Sequence, residues 1–319
     1  MVVAAALAAL LAVGPMQTPQ QTPPQTAPQP QGESVDLGEV EITGRPLDDM
    51  IRSFVSEVAE PNRRRGLARW DDRICIGVAN LRAPAAQYII DRVSTIADSL
   101  GVVPGEPGCR PNVIIIASDD ADGLARTLVE ERRRAFRMGG SGMDRGRTAL
   151  EAFVETDRPV RWWQLSMPTD SETGRRAVRV PGECTGACMD PQDSAPVINT
   201  FAASRLTTQI VDYIFRTIVI LDIDQVTRVS GQQLADYVAM VTLAQIDPEA
   251  DTSGYASVLN VFDDPASADG LTDWDQAYLR GLYDAERNRR NLNAGRTEIA
   301  DSIHRAHETL REGEEQETE

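Results

Sequence analysis

The sequence predicts an α+β fold, a mixed sheet packed by helices, on three observations. Its 319 residues are 41% hydrophobic, enough to bury one large core or two small ones. Short apolar runs of strand length, such as "RICIGVA" and "NVIIIAS", alternate with segments whose apolar residues recur every three to four positions. One long helical pattern comes late in the chain, an order that suits a layered domain.

Taken in order, residues 1–15, "MVVAAALAALLAVGP", hold an apolar run shorter than a membrane span that ends in small residues, which predicts a signal peptide. An uncleaved membrane anchor is the alternative. No cysteine sits at the expected cleavage point, so a lipoprotein is disfavoured. Residues 16–36, rich in Gln, Pro and Thr, cannot bury enough surface to offset the entropy of ordering and read as a disordered spacer. The folded domain is expected over 37–293, followed by a charged C-terminal helix and acidic tail over 294–319.

Within the domain, Met50, Ile51, Phe54, Val55 and Val58 fall on one helical face that Pro61 ends. A strand over Ile74 to Ala79 precedes a helix striped by Ile89, Ile90, Val93, Ile96, Ala97 and Leu100, with Gly101 as its stop. Val113 to Ala117 reads as a short buried strand, and Leu124 to Phe136 as one charged helix. "RPVRWWQLSMP", "RRAVRVP", "SRLTTQI" and "FRTIVILDIDQV" read as four further strands. Ser230 and Gln233 fit a capping box that opens a helix over 231–245, with Leu234, Tyr237, Val238, Val241 and Ala244 on its sheet-facing side. Thr272 and Asp275 fit a second cap, ahead of a last core helix that buries Leu279, Leu282 and Tyr283.

Composition removes several function classes. Asp and Glu number 49 against 32 basic residues, a net charge of -17 with no long basic stripe, which repels nucleic acid and anionic lipid. Every basic residue is arginine, so lysine chemistry such as a Schiff base or a phosphate-loop lysine is excluded. Cys75, Cys109, Cys184 and Cys188 are an even number in a chain expected to be exported, which favours disulfides over metal thiolates. Three pairings are open; a bridge between Cys75 and Cys109 would join neighbouring sheet elements and leave "CTGAC" to close a small loop, with a metal clip there as the alternative.

The helix over 231–245 stands where a zinc peptidase carries H-E-x-x-H, whose residues four apart point the same way and reach one metal. Superposing that pattern puts Gln233 and Tyr237 at the histidine positions and Leu234 at the glutamate. An amide is a poor zinc ligand and leucine takes no proton. Downstream, "YASVLNVFDD" and "GLTDWDQAYLRGLY" resemble the segment of metzincin-like peptidases in which a turn beneath the metal leads into a final helix. The resemblance covers about 204–285 and implies a metzincin-like architecture in the C-terminal part with its zinc site degenerate. Along the first half, "VEITGR", "LARW", "CRPN" and "VRWW" resemble stretches of exported alphaproteobacterial proteins without an assigned activity, which implies location more than function. "GEVEITGRPL" also resembles the opening of the plug in TonB-dependent receptors; an edge strand before the first helix explains it equally well.

Other chemistry-bearing residues have a plain structural reading beside the chemical one. Asp222 and Asp224, after an apolar strand, resemble the Asp-x-Asp of haloacid-dehalogenase-type phosphatases, which need a cation, usually lysine, that this chain lacks. On strand alternation the same two acids are a solvated strand end. Asp119 with Asp120 and Asp263 with Asp264 are acid pairs suited to glycosidase-like work or calcium, in a chain where acid-rich loops are common. His304 and His307 form the only H-x-x-H, on a solvated segment with too few ligands for a closed zinc site. Arg161, Trp162 and Trp163 form a candidate ligand contact, in which alternation sends one tryptophan inward and the other outward. The expectation is therefore a periplasmic or secreted, non-catalytic binding module without cofactor or metal. Its partner is expected to be a protein or peptide of the cell envelope, with no membrane span left after cleavage; the rival is a carboxylate-dependent hydrolase at Asp222 and Asp224.

Overall fold

Two amphipathic patterns, period two in the strands and period 3.6 in the helices, meet in a mixed four-stranded sheet covered by helices on both faces. The structure is a computed structural model that describes residues 46–62, 65–137, 142–178, 198, 206–287 and 289–317. The apolar start, the spacer, "VEITGR", Cys184 and Cys188 lie outside the described residues.

Helix α1 (Leu47–Val58) buries Ile51, Phe54, Val55 and Val58. The strand expected from Ile74 divides at Cys75: β1 (Arg73–Ile74) pairs in parallel with β3 (Val103–Pro104), while β2 (Ile76–Ala79) joins the main sheet. Between them runs α2 (Ala83–Ser99), with proline in its first turn and Ile89, Val93, Ile96 and Ala97 buried. Cys75 is bridged to Cys109, 34 residues later, in the loop that leads into β4 (Val113–Ser118).

After β4, Asp120 accepts the Gly123 amide and starts α3 (Ala121–Glu131). The single helix expected to Phe136 breaks at Arg132, and α4 (Arg133–Phe136) turns Phe136 into the core. Helix α5 (Arg147–Glu155) was not expected from the sequence; Leu150 and Phe153 are its buried residues. Strand β5 (Val160–Asp170) then pairs antiparallel with β6 (Ile210–Asp222), while β2, β4 and β6 run parallel, giving the order β2-β4-β6-β5.

Two of the expected strands change. The described part of "RRAVRVP" contributes one bridge, Arg176 to Thr169, and the described part of "SRLTTQI" joins the sheet from Ile210, so β6 is one strand of 13 residues. At its other end β6 stops at Asp222 instead of running to Val226. The Asp222 carboxylate accepts the amides of Asp224 and Gln225, which caps α6 (Ile223–Val226).

The sheet sorts the core into two. One face, with Val113, Ile115, Ala117, Trp162, Val219 and Leu221, packs against α2 and α7 (Gly231–Leu243). The other, with Trp163, Leu165, Ile218 and Ile220, packs against α3, Phe136 and α5. Although β5 is a sheet edge, all eleven of its residues are buried, and its Ser166 amide donates to the Met143 carbonyl. This edge is therefore closed to strand addition from outside.

Behind α7, a 3₁₀ turn (Val258–Asn260) leads to α8 (Asp273–Asp284) and α9 (Leu292–Glu317). Both expected capping boxes form, Ser230 with Gln233 and Thr272 with Asp275. Asp275 is wholly buried, and it accepts from Ser257 Oγ, from the Val258 amide and from Thr272. Helix α9, expected as a solvated end, instead buries Ile299, Ala300 and Ile303 against α8 and α1. Gly281 makes that docking close: a Cβ there would lie 2.4 Å from the Ile303 backbone nitrogen. Among the described residues no helix is long and apolar enough to cross a membrane.

Candidate functional site

Helix α7 enters the core almost entirely, so the few side chains that it turns elsewhere stand out. Gln233, onto which the superposed peptidase pattern puts its first histidine, is fully committed. Its Oε1 accepts the Ser230 amide at 2.8 Å, and its Nε2 donates to the Pro265 and Ala268 carbonyls, both at 2.7 Å. The side chain thus tethers the 265–268 turn to the helix start. Leu234, at the glutamate position, packs half-buried against the main core.

Tyr237, one turn further, faces a different environment. Its ring lies 4.9 Å from Phe262 and 6.2 Å from Trp162, both edge-on. These rings line a cleft of about 500 Å³ between the start of β5 and the 246–267 segment. Burial raises the phenol pKa well above its ordinary value, with Arg158 opposing and Asp263 assisting. At neutral pH the hydroxyl is a hydrogen-bonding group and not a base.

The three residues expected as a ligand contact separate across the sheet. Trp162 faces α7, is 6% exposed, donates from Nε1 to the Ile246 carbonyl at 3.1 Å, and presents part of its ring to the cleft. Trp163 is not the outward-facing contact: it is 1% exposed and donates to the Phe136 carbonyl at 2.8 Å on the opposite face. Alternation did send the two rings apart, but helices cover both faces, so Trp163 is core and Trp162 keeps only the edge that meets the cleft. Arg161 shares the Trp163 face, fully buried, with Nη1 donating to the Phe153 carbonyl at 3.0 Å and the guanidinium against Asp122. Burial lowers its pKa, with Asp222 opposing.

The candidate acids do not converge. Asp222 is spent on capping α6 and Asp224 is exposed in that turn, so the pair is a helix start and not a nucleophile with its acid. Asp120 caps α3 beside an exposed Asp119. Within the cleft rim, Asp247 accepts the Glu249 amide, Asp251 accepts the Ser253 amide, and Asp264 accepts the Ala266 amide. His304 faces Asp48 and Glu308, while the His307 ring stands edge-on to Trp274. Among the described residues, no three His, Cys, Asp or Glu side chains come together so as to hold a metal ion.

Two buried polar anchors escaped sequence reasoning. Asp236, wholly buried, is gripped by Arg92 of α2, with Nη2 to Oδ2 at 2.9 Å, and it also accepts the Leu271 amide at 2.9 Å. Gln164 of β5 donates to the carbonyls of Val241 and Ala244, fixing the end of α7. An acid inside the apolar run "LADYVAM" was the available signal for the first, since a buried carboxylate requires a partner. Comparison of the chain with known protein families, curated proteins and solved structures finds no match.

What the cleft offers chemically is an aromatic floor of Tyr237, Trp162, Phe262 and Tyr255 inside a polar rim. Such a site binds by burying apolar side chains and orients them with a few polar groups. The chain's two histidines are both on α9 and neither lines the cleft.

Proposed function

We propose that this chain is an exported, non-catalytic binding module, with a metzincin-like C-terminal part in which the α7 cleft, its zinc ligands replaced, takes up a peptide or protein segment of the cell envelope. The observation that carries the reading is the pairing of Tyr237 with Trp162 across the cleft, at one of the positions where the peptidase pattern has a zinc-binding histidine. The other such position is a structural tether, Gln233. The passage from β6 through α7 and a turn to the capped helix α8 agrees with the element order that the sequence resemblance implies. Export is supported by the apolar start, the spacer and the Cys75–Cys109 bridge, which suits an oxidising compartment.

The test has two arms. Protein beginning at residue 33 is incubated with zinc, magnesium and calcium, and its metal content is measured by mass spectrometry beside a peptide-hydrolysis assay. No retained stoichiometric zinc and no hydrolysis is expected; chelator-sensitive hydrolysis refutes the non-catalytic reading. In the second arm a random dodecapeptide display library is selected on the same protein and on Ser267→Trp, which plugs the cleft from an exposed rim position. Enriched peptides should bind the plugged variant at least about tenfold more weakly, the loss of roughly 1.4 kcal/mol of buried contact. Equal binding to both proteins places the ligand elsewhere.

A further inference from the structure

A second cavity of about 290 Å³ lies at the other end of the β5–β6 ribbon, where Asp170 pairs with Ile210, and it shares no lining residue with the cleft near Val160. It opens between Pro61 and residues 65–67, the first residues of β6 and the start of α9. Five arginines line it, Arg65, Arg287, Arg289, Arg290 and Arg296, against two acids, Asp212 and Glu286. In a chain of net charge -17 this is a local reversal of sign, set in a concave wall that also contains Leu67, Val211 and Ile299.

Arg287 is the decisive cation. Its Nη1 donates to the Asp212 backbone carbonyl at 2.8 Å and its guanidinium lies 4.2 Å over the Tyr213 ring. Among the described residues no carboxylate forms a salt bridge with it. Burial lowers its pKa, with Tyr213, Asp71 and Asp212 opposing. Arg69 repels it: the Arg69 pKa is lowered to about 10, first by burial and then by Arg287, and its Nη1 donates to the Leu282 and Ala285 carbonyls. Two guanidiniums thus rest on backbone carbonyls in each other's field, with Asp71 and Asp212 near Arg287 and Asp284 near Arg69 as the acids that partly offset them.

The acids in the wall do not cancel this. Arg289 is within 3.8 Å of an exposed Glu286 and 3.6 Å of a half-buried Glu298, both long contacts. The Asp212 Oδ1, sealed from solvent and 3.9 Å from Arg65 Nε, accepts no hydrogen bond.

We propose that this cavity binds a small organic anion, a hydroxylated carboxylate or phosphate monoester. Its charged head meets Arg287 and Arg296, and its carbon skeleton rests on Leu67, Val211 and Ile299. Guanidinium groups suit such heads because they donate two parallel hydrogen bonds to one anion.

The experiment is calorimetric titration of the full protein at low ionic strength with glycerol 3-phosphate, with 3-hydroxybutyrate and with neutral glycerol. Saturable binding of at least one anion and none of glycerol is expected, and the anion that saturates names the head group. Arg287→Gln should weaken it at least about tenfold, the usual worth of a hydrogen bond to a charged group. Arg296 is exposed at the mouth, so Arg296→Gln keeps the fold if Arg287→Gln does not, and it should weaken binding about threefold. Failure of both anions to saturate by about 10 mM, or unchanged affinity in the folded variants, overturns the proposal. Neither outcome involves the Tyr237 cleft, so the two sites stand or fall separately.

Discussion

Replacing Cys75 and Cys109 together by alanine tests how much of the stability resides in the unfolded chain. The bridge spans 34 residues. Closing a loop of that length removes about 4 kcal/mol of unfolded-state entropy on the chain-entropy account. The folded side should change little, because the Cys75 backbone is held independently: its amide donates to Asn112 Oδ1 at 2.7 Å and its carbonyl accepts the amides of Asn112 and Val113. Alanine also avoids placing a hydroxyl at a position only 5% exposed. The double variant is preferable to a reductant, because it changes these two positions alone. Urea unfolding at neutral pH, followed by tryptophan fluorescence, should give a stability loss of about 4 kcal/mol together with a steeper slope, since the unfolded chain exposes more surface once the loop is open. In a thermal scan the midpoint should fall by about 10 °C for a domain of this size. A loss below about 1 kcal/mol would refute the reasoning and mean that the bridge does not constrain the unfolded state.

Three further outcomes follow from the packing. Gly281→Ala sets a helix-propensity gain of about 1 kcal/mol against a Cβ lying 2.4 Å from the Ile303 backbone, which cannot yield as a side chain would; a net loss of about 2 kcal/mol in urea unfolding is expected, and a gain would mean that α9 is loosely docked. Arg92→Leu leaves Asp236 buried with only the Leu271 amide and should cost about 3 kcal/mol, the low end for a buried pair because the Arg92 side chain is 35% exposed; adding Asp236→Leu should recover most of that loss, and a double variant worse than the sum would refute the pairing. For Asp170, burial acts to raise the pKa, but hydrogen bonds from the Glu172 and Thr173 amides and from Gln209 outweigh it and hold the carboxyl below its ordinary value. A depressed folded pKa contributes stability that is present above the unfolded value, near 3.8, and is lost as pH falls through the folded one. The gap in urea midpoint between the protein and Asp170→Asn should therefore be constant at neutral and mildly acidic pH and narrow below about pH 4; a gap unchanged at about pH 3 would contradict this.

What could be read from the chain alone was whatever depends on near neighbours. The faces of α1 and α2, the two capping boxes and the stop at Gly101 are patterns complete within a few residues. Helix α5 was missed because Leu150 and Phe153 are a thin stripe in nine residues, and the end of β6 was misplaced because Asp222 competes for the backbone only through its own side chain. Tertiary structure decided the rest. Arg92 and Asp236 are 144 residues apart, and Trp162 and Tyr237 are on different elements, so no local pattern joins them. Alternation separates Trp162 from Trp163, yet only the helices on both faces make each of them core, because burial is a property of what packs above a strand and not of the strand. The arginines of the second cavity likewise come from distant parts of the chain, Arg65 on one side and Arg287, Arg289, Arg290 and Arg296 on the other, brought together only when α9 docks against the rest of the domain.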